Sequence, residues 1–222
     1  MPVYNEAQTI EEIIRRVTAV DIPKELVIVD DGSTDATREK LRALPAGEGL
    51  RVIFHERNQG KGAAVRTGLA AAKGDVVVIQ DADLEYDPQE FQELVKPILR
   101  GDADVVFGSR LTGGRPQRVY YFWHKVANRF LCLVLNVLYN TTLTDMETCY
   151  KMFTRPVLEG LRLQSDGFEI EPEITAKIFK RDWRVYEMPI SYYGRTYKEG
   201  KKIRFTDGLT ALWTLVKYRF VD

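Results

Sequence analysis

The chain has 222 residues, enough for one sizeable α/β domain with its own buried core. Its 32 Lys and Arg balance 32 Asp and Glu, which argues against a general nucleic-acid binder and leaves ligand selectivity to local clusters. No run of about 20 apolar residues could span a bilayer and no cleavable leader is recognisable. Cys132 and Cys149 lack the spacing of a metal site or disulfide framework and read as free thiols in a reducing compartment.

Met1–Glu6 reads as a loop entering a helix, with no strand before it. A series of βα units would start with the strand, and losing it would leave sheet hydrogen bonds unmade, so a shortened start is expected. A helix of apolar period covers about Ala7 to Val20. Leu26–Val29 is a buried strand closed by "DDGSTDAT", where Ser33, Thr34 or Asp35 can cap a helix toward Leu44. A short strand at Arg51–Phe54 precedes "RNQGKGAA", which opens a helix to about Lys73. Val76–Gln80 is a strand, Pro88–Leu99 a helix and Asp104–Gly108 a strand. Apolar runs alternating with helices predict a mostly parallel sheet covered on both faces. Right-handed crossovers put its strand-to-helix loops at one edge, where ligands bind. After Arg110 come the basic loop "LTGGRPQR", a helix from Val119 to about Asn140, a strand in "TCYKMF", a helix Phe168–Lys180 and a strand Arg184–Met188. The loop "GRTYKEGKK" and an amphipathic helix Phe205–Phe220 complete the chain. Residues 1–222 read as one domain whose specialised second half begins at residue 111.

The stretch "VVVIQDADLEYDP" crowds four acids behind an apolar strand. In extended backbone Asp81, Asp83 and Glu85 share one side, whereas Asp87, followed by Pro88 and Glu90, fits a helix-capping acid. Three acids on one side suit a hard divalent cation such as Mg²⁺ or Mn²⁺ that also touches phosphate; the plainer reading is a solvated acidic loop. Asp30 and Asp31 end the earlier strand at the same edge and suit either a nucleobase or helix capping. "NQGKGAAVRTG" is not a phosphate loop, because Ala63 stands where a hydroxyl is required; Gly60 and Gly62 instead suit close backbone approach at a helix start. His124, Lys125, Asn128 and Arg129 largely share a helical sector beside an apolar, aromatic-rich stretch. That pairing suits anionic lipid head groups, or a core helix with a snorkelling rim. Arg195, Lys198, Lys201 and Lys202 could close over a pyrophosphate or form a solvated loop.

The stretches "PVYNE", "VDDGSTDAT", "NQGKGAAVRTG", "QDADLEYDP", "VVFGSR", "TDMETCYKMF", "GFEIEPEIT" and "GRTYKEGKK" together resemble glycosyltransferase family 2, of the GT-A fold. Within it they are most similar to polyprenyl- and dolichyl-phosphate sugar synthases of the dolichol-phosphate mannose synthase type. The resemblance implies a nucleotide-sugar half, residues 1–110, and an acceptor half, residues 111–222. It implies an inverting, metal-dependent transfer of mannose or glucose from a GDP- or UDP-sugar to a polyprenyl or dolichyl phosphate, at the cytoplasmic membrane face. Pro2, Tyr4, Glu6, Val29 and Asp31 would hold the nucleoside, and Asp81, Ala82 and Asp83 the metal and diphosphate, with Glu85 a third metal contact. Arg110, Arg195 and Lys201 would contact phosphates, while His124, Lys125, Asn128 and Arg129 would receive the acceptor phosphate. Glu169 stands where mannose synthases tend to carry a basic residue, which leaves glucose or another UDP-sugar open. A sugar-hydroxyl acceptor would need a general base, for which Asp145 is the candidate. An aspartyl phosphatase would place its D-x-D after the first strand, and a glycosidase needs no basic clamps. A noncatalytic sugar-nucleotide-binding membrane adaptor is the remaining alternative.

Overall fold

The computed structural model describes residues 1–222 except 46, 48, 120, 197–204 and 222. The β-branched run Leu26–Asp30 (β2) is the centre of a parallel sheet, flanked by Pro2–Val3 (β1) and Leu50–Phe54 (β3). The N-terminus thus differs from the expected loop. Pro2 and Val3 pair with Val29 and Asp30, and the ladder closes through Val29 N–H to Met1 O at 2.9 Å and Asp31 N–H to Val3 O at 2.8 Å. Proline is tolerated there because it starts the strand.

Helix α1 (Ile10–Thr18) buries Ile10, Ile13, Ile14 and Val17, the spacing of one apolar face. Helices α2 (Thr37–Arg42) and α3 (Lys61–Ala71) follow β2 and β3. Strand β4 (Val76–Val78) is shorter than expected. The helix expected over 88–99 is a 3₁₀ turn (Pro88–Glu90) and two short helices, α4 (Phe91–Leu94) and α5 (Lys96–Leu99). Pro97 explains the break, since its ring lacks an N–H and crowds the carbonyl of Glu93.

The second sheet runs β4-β6-β5-β7, with β5 at Val105–Ser109, β6 at Lys151–Thr154 and β7 at Val185–Pro189. Strand β6 inserts antiparallel between β4 and β5, pairing Met152 with Val78 and Lys151 with Phe107. Its first residue therefore lies at the edge where β4 and β5 end. Short α7 (Arg155–Gly160) leads toward α8 (Ile170–Phe179), which is buried all round and packs beneath α9 (Phe205–Phe220). Helix α6 (Phe122–Tyr139) packs on α9, where Tyr139 Oη donates to Leu215 O at 2.9 Å. The core joins Ile10, Ile13, Ile28, Phe107, Phe153, Ile170 and Ile174.

Candidate active site

Beyond β4 the acidic stretch leaves the extended conformation. Leu84 takes φ 62°, a left-handed turn that breaks the two-residue alternation. Asp81, Asp83 and Glu85 consequently do not form the expected single face. Among the described residues no three His, Cys, Asp or Glu side chains gather closely enough to hold a metal ion. Donors of the protein meet each acid instead. Asp81 Oδ2 lies 2.8 Å from Lys61 Nζ, and Asp83 Oδ2 lies 3.1 Å from Arg195 Nη2. Glu85 accepts the Arg195 backbone N–H at 2.7 Å and the Tyr192 hydroxyl at 3.0 Å. Asp87 caps the 3₁₀ turn as expected, accepting from Gln89 N–H at 3.0 Å. Glu90 does not close a capping box; its carboxylate accepts the buried Ser191 N–H at 2.9 and 3.1 Å.

Lys61 was unassigned in the sequence, yet a lysine at a helix N-terminus opposes the helix dipole and calls for an acid. Its ammonium bridges Asp81 and Glu171 Oε1, the latter at 3.1 Å, and Glu171 in turn pairs with the buried Lys151. Burial opposes the Lys61 charge, but Asp81 and Glu171 outweigh it and raise its pKa well above the ordinary value. Burial likewise opposes ionisation of Asp81, and Lys61 reverses the effect and lowers its pKa. Gly60 and Gly62 hold this loop against the segment before α8. A Cβ on either would lie 2.3 Å from a backbone oxygen, that of Asp166 or Ser165 respectively, which bears out the close approach expected there. Lys151, Glu171 and Arg195 come from beyond residue 110, so both parts of the chain supply this site.

Asp83 differs from Asp81. Burial, then the charges of Asp81 and Glu85, push its carboxyl up to about 7 despite Arg195. Arg195 also reaches Glu6 through Nη1 at 3.1 Å, and its buried Nε has no hydrogen-bond partner. Among the described residues, Asp81, Asp83, Glu85 and Glu6 thus outnumber Lys61 and Arg195. That all-oxygen donor set is of the kind that suits Mg²⁺ or Mn²⁺.

Of the expected nucleoside contacts, Asp31 already accepts His55 Nδ1 at 2.7 Å, Gln59 N–H at 2.9 Å and Gly60 N–H at 2.8 Å. It organises the loop after β3, leaving one carboxylate lone pair for a ligand. Val29 and Ala82 are buried, Val29 against Val27 and Ala64, so they supply walls rather than side-chain contacts. Pro2 and Tyr4 are half-buried beside β2 and Glu6 is buried at the Arg195 cluster. Lys198, Lys201 and Lys202 lie outside the described residues.

A second cluster lies at the end of β5. Arg110 Nε and Nη2 each sit 2.7 Å from the fully buried Asp145 carboxylate, whose Oδ2 also accepts Arg110 N–H at 2.8 Å. Asn128 donates to its other oxygen at 2.8 Å. Burial favours the neutral acid, but Arg110 outweighs it and lowers the Asp145 pKa. A buried carboxylate with four donors makes a poor proton acceptor, which corrects the expectation of a base at Asp145. Arg110 is anchored, offering at most Nη1 to a phosphate, and Tyr192 lies beneath it at 5.0 Å. Asn128 likewise turns inward and leaves the expected phosphate-binding sector. Lys125 and Arg129 remain exposed and His124 is half-buried. Arg129 borders a cavity of about 310 Å³ walled by Leu111, Cys132, Leu133 and Leu143.

Sequence reasoning missed Glu147. Its Oε1 is buried without a partner, and burial, partly offset by Lys151, pushes the carboxyl up to about 7. The folded protein holds that proton to about pH 7, whereas the unfolded chain releases it near 4.5. Stability attributable to Glu147 is therefore fully present below pH 4.5, falls across that window and is flat above it. Glu147→Gln is expected to match the wild type at pH 4 and exceed its stability at pH 8 by roughly 1–3 kcal/mol, read by chemical denaturation at both pH values.

The sequence matches glycosyl transferase family 2 over residues 1–162. It is 30% identical over 205 residues to the dolichol-phosphate mannosyltransferase of Pyrococcus furiosus, covering 90% of this chain and 57% of that protein. It is 27% identical to the dodecaprenyl-phosphate galacturonate synthase of Rhizobium johnstonii, covering 90% of this chain and 60% of the relative. The chain thus spans less than two thirds of the length of these curated relatives. Among solved structures, it is similar to glucosyl-3-phosphoglycerate synthase from Mycobacterium tuberculosis in complex with Mn²⁺, UDP-glucose and phosphoglyceric acid. The TM-score is 0.75 at 25% identity, over 100% of this chain and 78% of that one. The fold is GT-A, as the motifs implied, and the chain belongs to glycosyl transferase family 2.

Proposed function

We propose that residues 1–222 form one catalytic domain of an inverting glycosyltransferase that moves mannose or glucose from a GDP- or UDP-sugar to a polyprenyl or dolichyl phosphate. The observation that carries this reading is the excess, among the described residues, of the acids Asp81, Asp83, Glu85 and Glu6 over Lys61 and Arg195 at one sheet edge. Asp81 and Asp83, with Glu85, would hold Mg²⁺ or Mn²⁺, which when bound supplies charge stabilisation for the departing nucleoside diphosphate. Lys61 keeps Asp81 ionised, and Arg195 is close enough to these acids to bind a diphosphate beside them. Pro2, Tyr4, Glu6 and Asp31 border the nucleoside side.

An acceptor phosphate, its second pKa near ~6, needs positioning more than deprotonation. Arg129 at the rim of the apolar cavity, with His124, Lys125 and the anchored Arg110, would position it. No helix among the described residues is long and apolar enough to cross a membrane. Helices α6 and α9 nevertheless expose Trp123, Phe130, Leu133, Trp213 and Phe220. Trp123, Phe130 and Leu133 share α6 with Lys125 and Arg129, which supports docking on an anionic lipid surface, and the reading puts that surface at the cytoplasmic face. The relatives named for dolichol phosphate and dodecaprenyl phosphate favour the same acceptor class.

The unpartnered, proton-holding Glu147 favours a second reading, transfer to a hydroxyl with Glu147 in place of Asp145 as base. Labelled UDP- and GDP-sugars with Mn²⁺ or Mg²⁺ should be offered polyprenyl phosphate in anionic vesicles and, separately, a soluble phosphorylated hydroxyl acid. Metal-dependent transfer to the lipid phosphate, retained in Glu147→Gln, is the expected result. Transfer only to the hydroxyl acid, lost in that variant, selects the second reading. Binding of a sugar nucleotide without transfer to either acceptor selects the adaptor.

A further inference from the structure

Resting on the donor-site reading above, we propose that Arg195 is a resident counter-ion of the acidic site that competes with the divalent cation. The cation and the nucleoside diphosphate then bind as a coupled pair rather than independently. The guanidinium reaches three acids, with Nε 3.8 Å from Glu85 Oε1. Nη1 lies 3.1 Å from Glu6, and Nη2 lies 3.1 Å from Asp83. The backbone N–H of the same residue donates to Glu85 at 2.7 Å. Arg195 thereby occupies, with one side chain and one amide, the oxygen atoms that a divalent cation would need. Asp81 is drawn the other way by Lys61. Among the described residues, the acids are thus divided between two cations.

A divalent cation arriving alone at Asp83 would meet a fixed positive charge beside the same carboxylate, and it would also have to displace the ionic hydrogen bond from Arg195 Nη2. The repulsion and the lost bond both lower its affinity. A diphosphate changes the balance because its oxygens offer the guanidinium a new planar, two-pronged partner. Once Arg195 turns to the phosphates, Asp83 and Glu85 are released to the cation, and the cation itself attracts the same diphosphate. Arg195 Nε, buried without a hydrogen-bond partner, shows that the guanidinium is not fully satisfied where it rests. Its present arrangement is therefore one from which exchange costs less than from a saturated pocket. By thermodynamic reciprocity, the factor by which the diphosphate tightens the cation equals the factor by which the cation tightens the diphosphate.

The test titrates Mn²⁺ into the purified full chain, reading free Mn²⁺ by electron paramagnetic resonance, with and without UDP or GDP. In the wild type the nucleotide should tighten Mn²⁺ by roughly 10-fold or more, within the usual range of such couplings. Arg195→Gln should tighten Mn²⁺ alone by about the same factor and remove most of the coupling, while weakening the nucleotide in the presence of Mn²⁺. Arg195→Lys, which keeps the charge, should bind Mn²⁺ alone nearly as weakly as the wild type. Adding Asp83→Asn to Arg195→Gln should abolish the gain, placing the cation at Asp83. Melting curves identify any variant that has lost its fold, and Arg195→Lys then carries the comparison through its nucleotide coupling. Unchanged or weaker Mn²⁺ binding in folded Arg195→Gln overturns the proposal, as does a gain that survives Asp83→Asn. A wild-type protein that shows the coupling yet transfers no sugar sinks the transferase reading and leaves this one standing.

Discussion

Asp83→Ala is expected to lower sugar transfer by about 10³-fold or more while leaving the melting temperature at neutral pH unchanged or slightly raised. The two halves of that expectation have one cause. Asp83 is half-buried beside Asp81 and Glu85, and desolvation, then the charges of those two acids, pushes its carboxyl up to about 7 despite Arg195. Removing it relieves that crowding in the ligand-free protein, and Arg195 keeps Glu6 as a partner. A loaded site, in contrast, would lose a metal oxygen ligand beside the departing diphosphate. Asp81 is the less informative position. Its removal would leave Lys61 with only Glu171 and so mix a folding cost into the activity. Transfer rates within 10-fold of wild type in folded Asp83→Ala would remove Asp83 from the chemistry.

The largest stability effect is expected at Asp145. Asp145→Ala should destabilise the protein by about 3–5 kcal/mol, because it strands a guanidinium and the Asn128 amide in a buried site. For a domain of this size that corresponds to a fall in melting temperature of roughly 6–20 °C. Asp145→Asn separates a structural role from a catalytic one. It preserves shape and one acceptor but loses the charge that holds Arg110 Nε and Nη2. A general base would lose turnover in Asp145→Asn with stability intact. The geometry instead predicts a lower melting temperature, with activity falling only as far as the Arg110 anchor loosens. Full stability accompanied by complete loss of turnover would restore Asp145 as a base.

Local chemistry carried much of the fold. The β-branched run of β2 and the helix periods were legible within a few residues, because burial of one face is a short-range constraint. Capping by Asp87 was legible for the same reason: it depends on residues no further away than Gln89. The close approach at Gly60 and Gly62 was also visible as a need, although its partners, Ser165 and Asp166, were not. Expectations failed where one residue changed the backbone path. Leu84 in the left-handed region broke the alternation, so that Asp81 meets Lys61 while Asp83 and Glu85 meet Arg195, and nothing in a run of alternating acids announces such a turn. The basic sector of α6 failed more subtly. Helical spacing placed Asn128 beside Lys125 and Arg129, but the buried Asp145 draws its amide to the inner face.

Taken alone, the amino-acid order determined that this is an α/β chain with acids at the ends of two strands and a basic, apolar helix in its second half. Periodicity and the acidic composition of those loops are properties of neighbouring residues, so they can be read without coordinates. Only the tertiary structure decided which charges meet. Lys61 and Asp81 are 20 residues apart, Arg110 and Asp145 are 35 apart, and Arg195 reaches back 189 residues to Glu6. Those pairings depend on strand order and helix packing, which bring the ends of distant elements together. Sheet order reflects how whole apolar faces pack, and no local pattern records it. The positive charge that the crowded acids require is thus already present in part, as Lys61 and Arg195.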